Sequence, residues 1–298
     1  MREFKKILDQ RVKETQEIID RYLPEETGYQ RRIMEAMNYS MQAGGKRLRP
    51  LLMRETCRLF GFNGGERDVE PFMAAMEMIH TSSLIHDDLP CMDNDQYRRG
   101  KKSTWAEFGE DMGVLAGDAL IVEPFSTAAR PFAGTKHPYR VGQAIRILAE
   151  KTGIYGMIGG QVVDVELTNR PISMDQLDFI YRLKTGALLE ASMLIGAVLA
   201  GAEEEECAKI SKVALNVGLA FQIQDDILDV TGNQEVLGKP VGSDARNFKT
   251  TYVTLEGLEK AREQVKRLSE EAVEILHSLN RKNGFLEELI QMLITREK

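Results

Sequence analysis

Asp225 and Asp229 stand four residues apart inside an otherwise apolar segment, 217–230, with Asp226 between them. Residues i and i+4 of a helix share one face, their Cβ atoms about 6 Å apart, so a helix here would crowd carboxylates together. A second cluster, Asp87-Asp88-Leu-Pro-Cys-Met-Asp93, closes another apolar, helix-like segment, 76–89. Burying an unpaired carboxylate is expensive, and carboxylates converging on one spot repel each other unless a cation lies between them. The chain must therefore fold so that two remote helices offer their acidic positions to something cationic. Mg²⁺ is a suitable hard cation: it takes one or two carboxylates per ion and completes its octahedron with water and substrate phosphates. Two such clusters suit several ions holding a phosphorylated ligand.

A lone acidic triplet on a helix is most often a solvated face or a cap. Its company changes that here. Gly44-Gly45-Lys46-Arg47-Leu48-Arg49-Pro50 precedes the first cluster, and Asp95-Gln-Tyr-Arg98-Arg99-Gly100-Lys101-Lys102 follows it. Lys184-Thr185-Gly186, Gly238-Lys239 and Lys249-Thr250-Thr251 flank the second. Glycine lets the backbone approach a ligand and arginine grips phosphate with a planar fork. The pattern predicts a diphosphate bridged by metal on one side and by Lys and Arg on the other.

Hydrophobic spacing is helical almost throughout. Phe4, Ile7, Leu8, Val12, Ile18, Ile19, Tyr22 and Leu23 recur near helical intervals, and Pro24 ends that run. Breaks are expected at 61–65, 98–103, 133–138, 169–173, 200–203 and 232–248. The acidic run 203–206 fits a helix N-terminus, where the dipole favours carboxylates. No alternating strand, internal repeat or linker is evident, so 1–298 is read as one all-α domain. A net charge of −7 argues against nucleic acid or an anionic membrane as the main partner. Cys57, Cys91 and Cys207 form no CxxC and no metal spacing, which predicts reduced thiols and a cytoplasmic location. No apolar run approaches 18 residues, so the protein is expected not to be membrane-embedded.

At this point the residues resemble a family, the trans-prenyl diphosphate synthases that make farnesyl and geranylgeranyl diphosphates. The resemblance runs from about Gly44 to Tyr252. The stretch from Glu77 through His80, His86-Asp87-Asp88 and Arg99-Gly100-Lys101 is similar to the family's first aspartate-rich region, with a four-residue spacer. Phe221-Gln222-Ile-Gln-Asp225-Asp226-Ile-Leu-Asp229 is similar to the second, and Gly159-Gly160-Gln161-Val-Val-Asp164 to a further signature. The resemblance implies a helical bundle around a central cavity, a homodimer, and about three Mg²⁺ ions held by Asp87, Asp88, Asp93, Asp225, Asp226 and Asp229. It implies that isopentenyl diphosphate attacks the cation left when an allylic diphosphate departs, with the departed diphosphate accepting the proton. Lys46, Arg49, His80 and Arg99 match positions that bind isopentenyl diphosphate. Arg98, Lys184, Lys239 and Lys249 match those binding the allylic diphosphate, with Thr185 and Gln222 near the reacting carbons. Lys101, Lys102 and Asp244 are further candidates. Taken without the family, His80 fits a core or capping role and Thr185 and Gln222 fit helix packing. Lys102, Ser103 and Trp105 replace the Pro, Thr and His frequent after the Arg pair, so the loop is expected to close differently.

Product length is a question of depth. Ser82 stands five residues before Asp87, where many bacterial farnesyl synthases carry an aromatic floor, and Met78 lies one turn below it. That combination predicts room for twenty carbons, a geranylgeranyl product; farnesyl diphosphate is the alternative if Ala116, Ala119 and Leu120 close the pocket earlier. A class I terpene cyclase would carry an Asn/Asp…Ser/Thr…Glu second motif instead. From a different class, an HD-type metal phosphohydrolase could use His80 and His86-Asp87, although only His137 and His277 remain to complete its ligand set.

Overall fold

The computed structural model describes residues 2–61, 66–231 and 250–295. Lys239, Asp244, Lys249, all but Gly61 of the break expected at 61–65 and the whole of that at 232–248 lie outside the described residues. The all-α expectation holds. Among the described residues the only strands are β1 (Tyr97–Arg98) and β2 (Lys101–Lys102), an antiparallel pair within the break expected at 98–103. The chain gathers into two compact units, Met1–Arg54 with Phe62–Ile145 and Glu55–Gly61 with Arg146–Lys298. Each holds one acidic cluster.

The first unit contains α1 (Arg2–Asp20), α2 (Arg31–Met41), the start of α3 (Leu48–Leu59), α4 (Glu66–Asp87), the hairpin, α5 (Thr104–Phe108), α6 (Glu110–Ala129), a 3₁₀ turn (Arg130–Ala133) and the start of α7 (Pro138–Thr152). The middle of α4, residues 71–79, is buried on every side, and its Phe72, Met73, Met76, Met78 and Ile79 are at most 1% exposed. Met78 and Ile85 join Ala116 and Leu120 of α6, Met37 and Met41 of α2 and Ile19 of α1 in one buried cluster. Each large side chain there stabilises the fold by roughly 1.5–3 kcal/mol. α4 is thereby fixed along its length, and the acidic loop leaves from its rigid C-terminal end.

The second unit holds the remainder of α3 and α7, then α8 (Met157–Glu166), α9 (Met174–Ile180), a π-turn (Tyr181–Gly186), α10 (Ala187–Ala200), α11 (Glu204–Thr231), α12 (Tyr252–Glu256), α13 (Leu258–His277) and α14 (Gly284–Thr295). The expected breaks have local causes. Ser173 and Gln176 cap α9 reciprocally, Gly201 ends α10 in the left-handed region at φ 84°, and Glu206 accepts the Glu203 amide at 2.9 Å where α11 begins. By length and composition the helical run Met174–Ala200 could cross a membrane, yet 67% of its apolar window is buried in the protein. It is a core helix. The π-turn inside it was not foreseen; the hydrophobic spacing reads as uninterrupted helix.

Candidate active site

In the first unit the glycines of the Gly44–Arg49 loop make room for arginine. Gly45 has φ 136°, and a Cβ there would lie 2.6 Å from the Arg99 guanidinium, which donates to the Gly44 carbonyl. Arg99 reaches this point from the tip of the hairpin, where Arg99 and Gly100 both have positive φ, 55° and 78°, as a two-residue turn between right-twisted strands requires. Arg49 Nη1 lies 3.3 Å from His80 Nε2. Guanidinium nitrogens only donate, so Nε2 accepts and the ring proton sits on Nδ1. Burial, then the charges of Arg49, Arg99, Arg47 and Arg98, hold the His80 pKa well below the usual imidazole value. Burial lowers Arg49 to about 10, with Glu77 opposing and Arg99 reinforcing the shift; burial lowers Arg99 as well. Arg49 Nε is buried with no acceptor among the described residues. A buried donor without an acceptor costs about 1–3 kcal/mol, so cations pressed together beside a neutral histidine form a place an anion would stabilise. Lys46 is exposed at its edge.

Arg47 has a different role from its neighbours. It is 2% exposed and pairs with Glu77 of α4 at 2.6 Å, with further bonds to Gln16 at 2.6 Å and to the Met41 carbonyl. This buried pair ties the glycine loop to α1 and α4. The Lys46-Arg47-Leu48-Arg49 run has no local signal that separates Arg47 from Arg49. A glutamate on the apolar α4 was the clue available.

The acidic loop closes on itself. The Asp93 amide donates to the Asp87 carbonyl at 2.9 Å and the Asn94 amide to the Leu89 carbonyl at 3.0 Å, so the four-residue spacer returns Asp93 to Asp87. Asp87 is partly exposed and Asp93 exposed, whereas Asp88 is 2% exposed and accepts the Arg98 Nε at 2.9 Å. Burial raises the Asp88 pKa, with the Arg98 hydrogen bond opposing. Thus Asp88 and Arg98, expected as metal ligand and diphosphate contact, are placed on each other. Trp105 Nε1 donates to the Asp95 carbonyl at 2.9 Å, tying the start of α5 to the loop.

The second unit brings Lys184, Thr185, Gln222, Asp225 and Asp226 to the wall of one cavity of about 260 Å³. Asp164 joins them, accepting Lys184 Nζ at 2.6 Å. The Gly159–Asp164 signature now has a cause: a Cβ on Gly160 would meet the Lys184 backbone nitrogen at 2.2 Å, so glycine lets α8 lie on the chain that carries the lysine. Asp225 is partly exposed; Asp226 is 5% exposed, accepting Tyr181 Oη at 2.7 Å and the Tyr252 amide at 2.8 Å. Asp229 is 3% exposed. In both adjacent Asp pairs the first residue has solvent access and the second is buried and bonded.

Among the described residues no three His, Cys, Asp or Glu side chains form a closed metal cage. The donors present still fit Mg²⁺. Asp87, Asp93 and Asp225 are hard oxygen donors with solvent access, and one or two carboxylates per ion suffice when substrate phosphates complete the shell. Ser82 is fully buried, its hydroxyl without a partner among the described residues, and Met78 below it is part of the filled α2–α4–α6 core.

The chain matches the polyprenyl synthetase family over residues 30–291. It is 47% identical to the chloroplastic geranylgeranyl pyrophosphate synthase of Capsicum annuum over 249 residues, 83% of this chain and 67% of that protein. A crystal structure of an FPP/GFPP synthase from Zymomonas mobilis superposes with a TM-score of 0.84 at 33% identity, covering 99% of each chain. The geranyltransferase of Helicobacter pylori, complexed with magnesium and isoprenyl diphosphate, gives 0.81 at 31% identity over 97% of this chain and 95% of that one. These likenesses overturn the HD-type phosphohydrolase alternative. The histidines agree with that: His80 faces Arg49, and His86 lies 3.6 Å from Asp118.

Proposed function

Since the chain belongs to the polyprenyl synthetase family and is a prenyltransferase, we propose that it joins isopentenyl diphosphate to an allylic diphosphate and releases geranylgeranyl diphosphate. The observation that carries this is the cavity where Lys184, Thr185, Gln222 and Asp225 share one wall. Lys184 neutralises the allylic diphosphate as its C–O bond breaks, while Thr185 and Gln222 turn oxygen dipoles toward the allylic cation. Arg49, Arg99 and Lys46 hold the second diphosphate, and neutral His80 keeps Arg49 aimed. The terminal double bond of isopentenyl diphosphate attacks the cation, and the departed diphosphate takes the proton, so no side chain need be a strong base.

Asp87 and Asp93 from one cluster and Asp225 from the other would hold Mg²⁺, the ion bound by the Helicobacter pylori relative. When bound, the metal supplies Lewis-acid stabilisation of the leaving diphosphate. A homodimer is part of the same proposal: α6 leaves the apolar Val114, Leu115 and Val122 at 40–70% exposure. So is a reducing, cytoplasmic setting, supported by cysteines that form no disulfide among the described residues. Twenty carbons are favoured by small Ser82 and by the geranylgeranyl synthase relative. The test is incubation with Mg²⁺, isopentenyl diphosphate and dimethylallyl, geranyl or farnesyl diphosphate in turn, followed by chain-length analysis. A twenty-carbon product is expected. A fifteen-carbon end point would make it a farnesyl synthase, and no condensation with any starter would refute the synthase assignment.

A further inference from the structure

Lys184 and Thr185 do not sit on an α-helix. Residues Tyr181–Gly186 form a π-turn between α9 and α10, with the i→i+5 bonding that is rare, occurs mostly as single turns and is frequent at functional sites. A conformation less favourable than the α-helix on either side has to be held by its surroundings. Two glycines let neighbouring helices press on it: a Cβ on Gly160 of α8 would meet the Lys184 nitrogen at 2.2 Å, and one on Gly218 of α11 would lie 3.1 Å from the Gly186 Cα. Those contacts confine the turn sideways. Neither sets which residue begins it.

A directional bond meets the turn at its first residue. Tyr181, 8% exposed, donates its hydroxyl to Asp226 Oδ2 at 2.7 Å. The same oxygen accepts the Tyr252 amide at 2.8 Å, at the start of α12, where Thr251 and Thr254 form a reciprocal cap. One buried carboxylate oxygen thus joins the first residue of the π-turn, α11 and the entry of α12. A hydrogen bond to an ionised acceptor is about twice as strong as a neutral one, and a buried one is geometrically demanding.

We propose that Tyr181 and Asp226 form a latch that sets the register of the π-turn, so that Lys184 and Thr185 line the cavity. Tyr181 is on this account a positioning residue, and Asp226 acts through it and through the Tyr252 amide. The kinetic half of the proposal rests on the synthase reading above; the structural half does not.

The test uses the full chain and two readouts. Backbone amide exchange across 181–186 should be about tenfold faster in Tyr181→Phe and Asp226→Ala. It should rise less in Asp226→Asn, whose amide oxygen still accepts both donors but without the charge, and α13 should be unchanged in all three. In steady-state assays Tyr181→Phe should raise the KM for the allylic diphosphate about tenfold, leaving the KM for isopentenyl diphosphate and the Mg²⁺ concentration for half-maximal rate where they were. Wild-type exchange in Tyr181→Phe overturns the latch. Faster exchange with an unchanged allylic KM overturns the positioning role, and a raised Mg²⁺ requirement without faster exchange assigns the pair to metal binding instead. If exchange responds as described while the wild type condenses no prenyl substrate, the latch stands and the synthase reading falls.

Discussion

On the proposed division of substrates, Arg49 serves isopentenyl diphosphate and Lys184 the allylic diphosphate. Arg49 sits beside Arg99 and neutral His80 in the first unit; Lys184 is held by Asp164 in the second. Arg49→Ala should raise the KM for isopentenyl diphosphate at least about tenfold and the allylic KM less, and Lys184→Ala the reverse, because each removes a charge-assisted contact to one substrate. Equal effects on both substrates from both variants would refute the division. His80 carries a pH signature. Its folded pKa lies well below the usual imidazole value because burial and four arginines disfavour the imidazolium. Below about pH 6.5 the unfolded chain takes up a proton that the folded chain refuses, so acid favours unfolding, with a limiting slope of about 1.4 kcal/mol per pH unit. Urea midpoints between pH 7.5 and 5.5 should fall more steeply for wild type than for His80→Gln; parallel curves would show that His80 is not held neutral.

Elements fix the distances that residues alone cannot. α8 lies against the π-turn only because Gly160 has no side chain. Gly160→Ala puts a methyl group where a backbone nitrogen already sits, so α8 or the turn must move. That overpacking should cost about 1–3 kcal/mol in urea unfolding and should weaken allylic binding with it; a neutral substitution would mean that α8 shifts without resistance. The same logic on α4 gives the product-length prediction. Ser82 is fully buried one turn above Met78, which packs with Ala116 and Leu120. Ser82→Tyr should fill the space of a fourth isoprene unit and move the main product from twenty carbons to fifteen, with little loss in the first condensation. If the unmodified protein already stops at fifteen, Met78 and the α6 residues set the limit instead.

Across the whole molecule the two acidic clusters fall in different compact units. The family match at 30–291 spans both compact units, and each unit supplies one acidic cluster with its own cations. Activity should therefore need both. Asp87→Ala and Asp225→Ala should each reduce turnover by at least about a hundredfold at saturating Mg²⁺. The melting temperature without metal should be unchanged or slightly higher, since a crowded carboxylate has been removed. Near-normal turnover in either variant would refute joint use of the clusters.

Helical spacing and short motifs are local properties, and they were sufficient for the all-α class and for most breaks; it was the family resemblance that named Lys184, Thr185, Gln222, Asp225 and Asp226, which line one cavity. They were insufficient wherever the partner is remote. Arg47 with Glu77, Lys184 with Asp164 and Tyr181 with Asp226 are separated by 30, 20 and 45 residues, and nothing in either local sequence identifies the other. The adjacent aspartates state the difference most directly. Asp87-Asp88 and Asp225-Asp226 look alike as letters, but neighbours on a helix point about 100° apart, so packing buries Asp88 and Asp226 and leaves Asp87 and Asp225 with access to solvent. The sequence determined that carboxylates would cluster; the tertiary structure decided which remain accessible to a metal and which hold the fold, because burial is a property of what packs against a side chain.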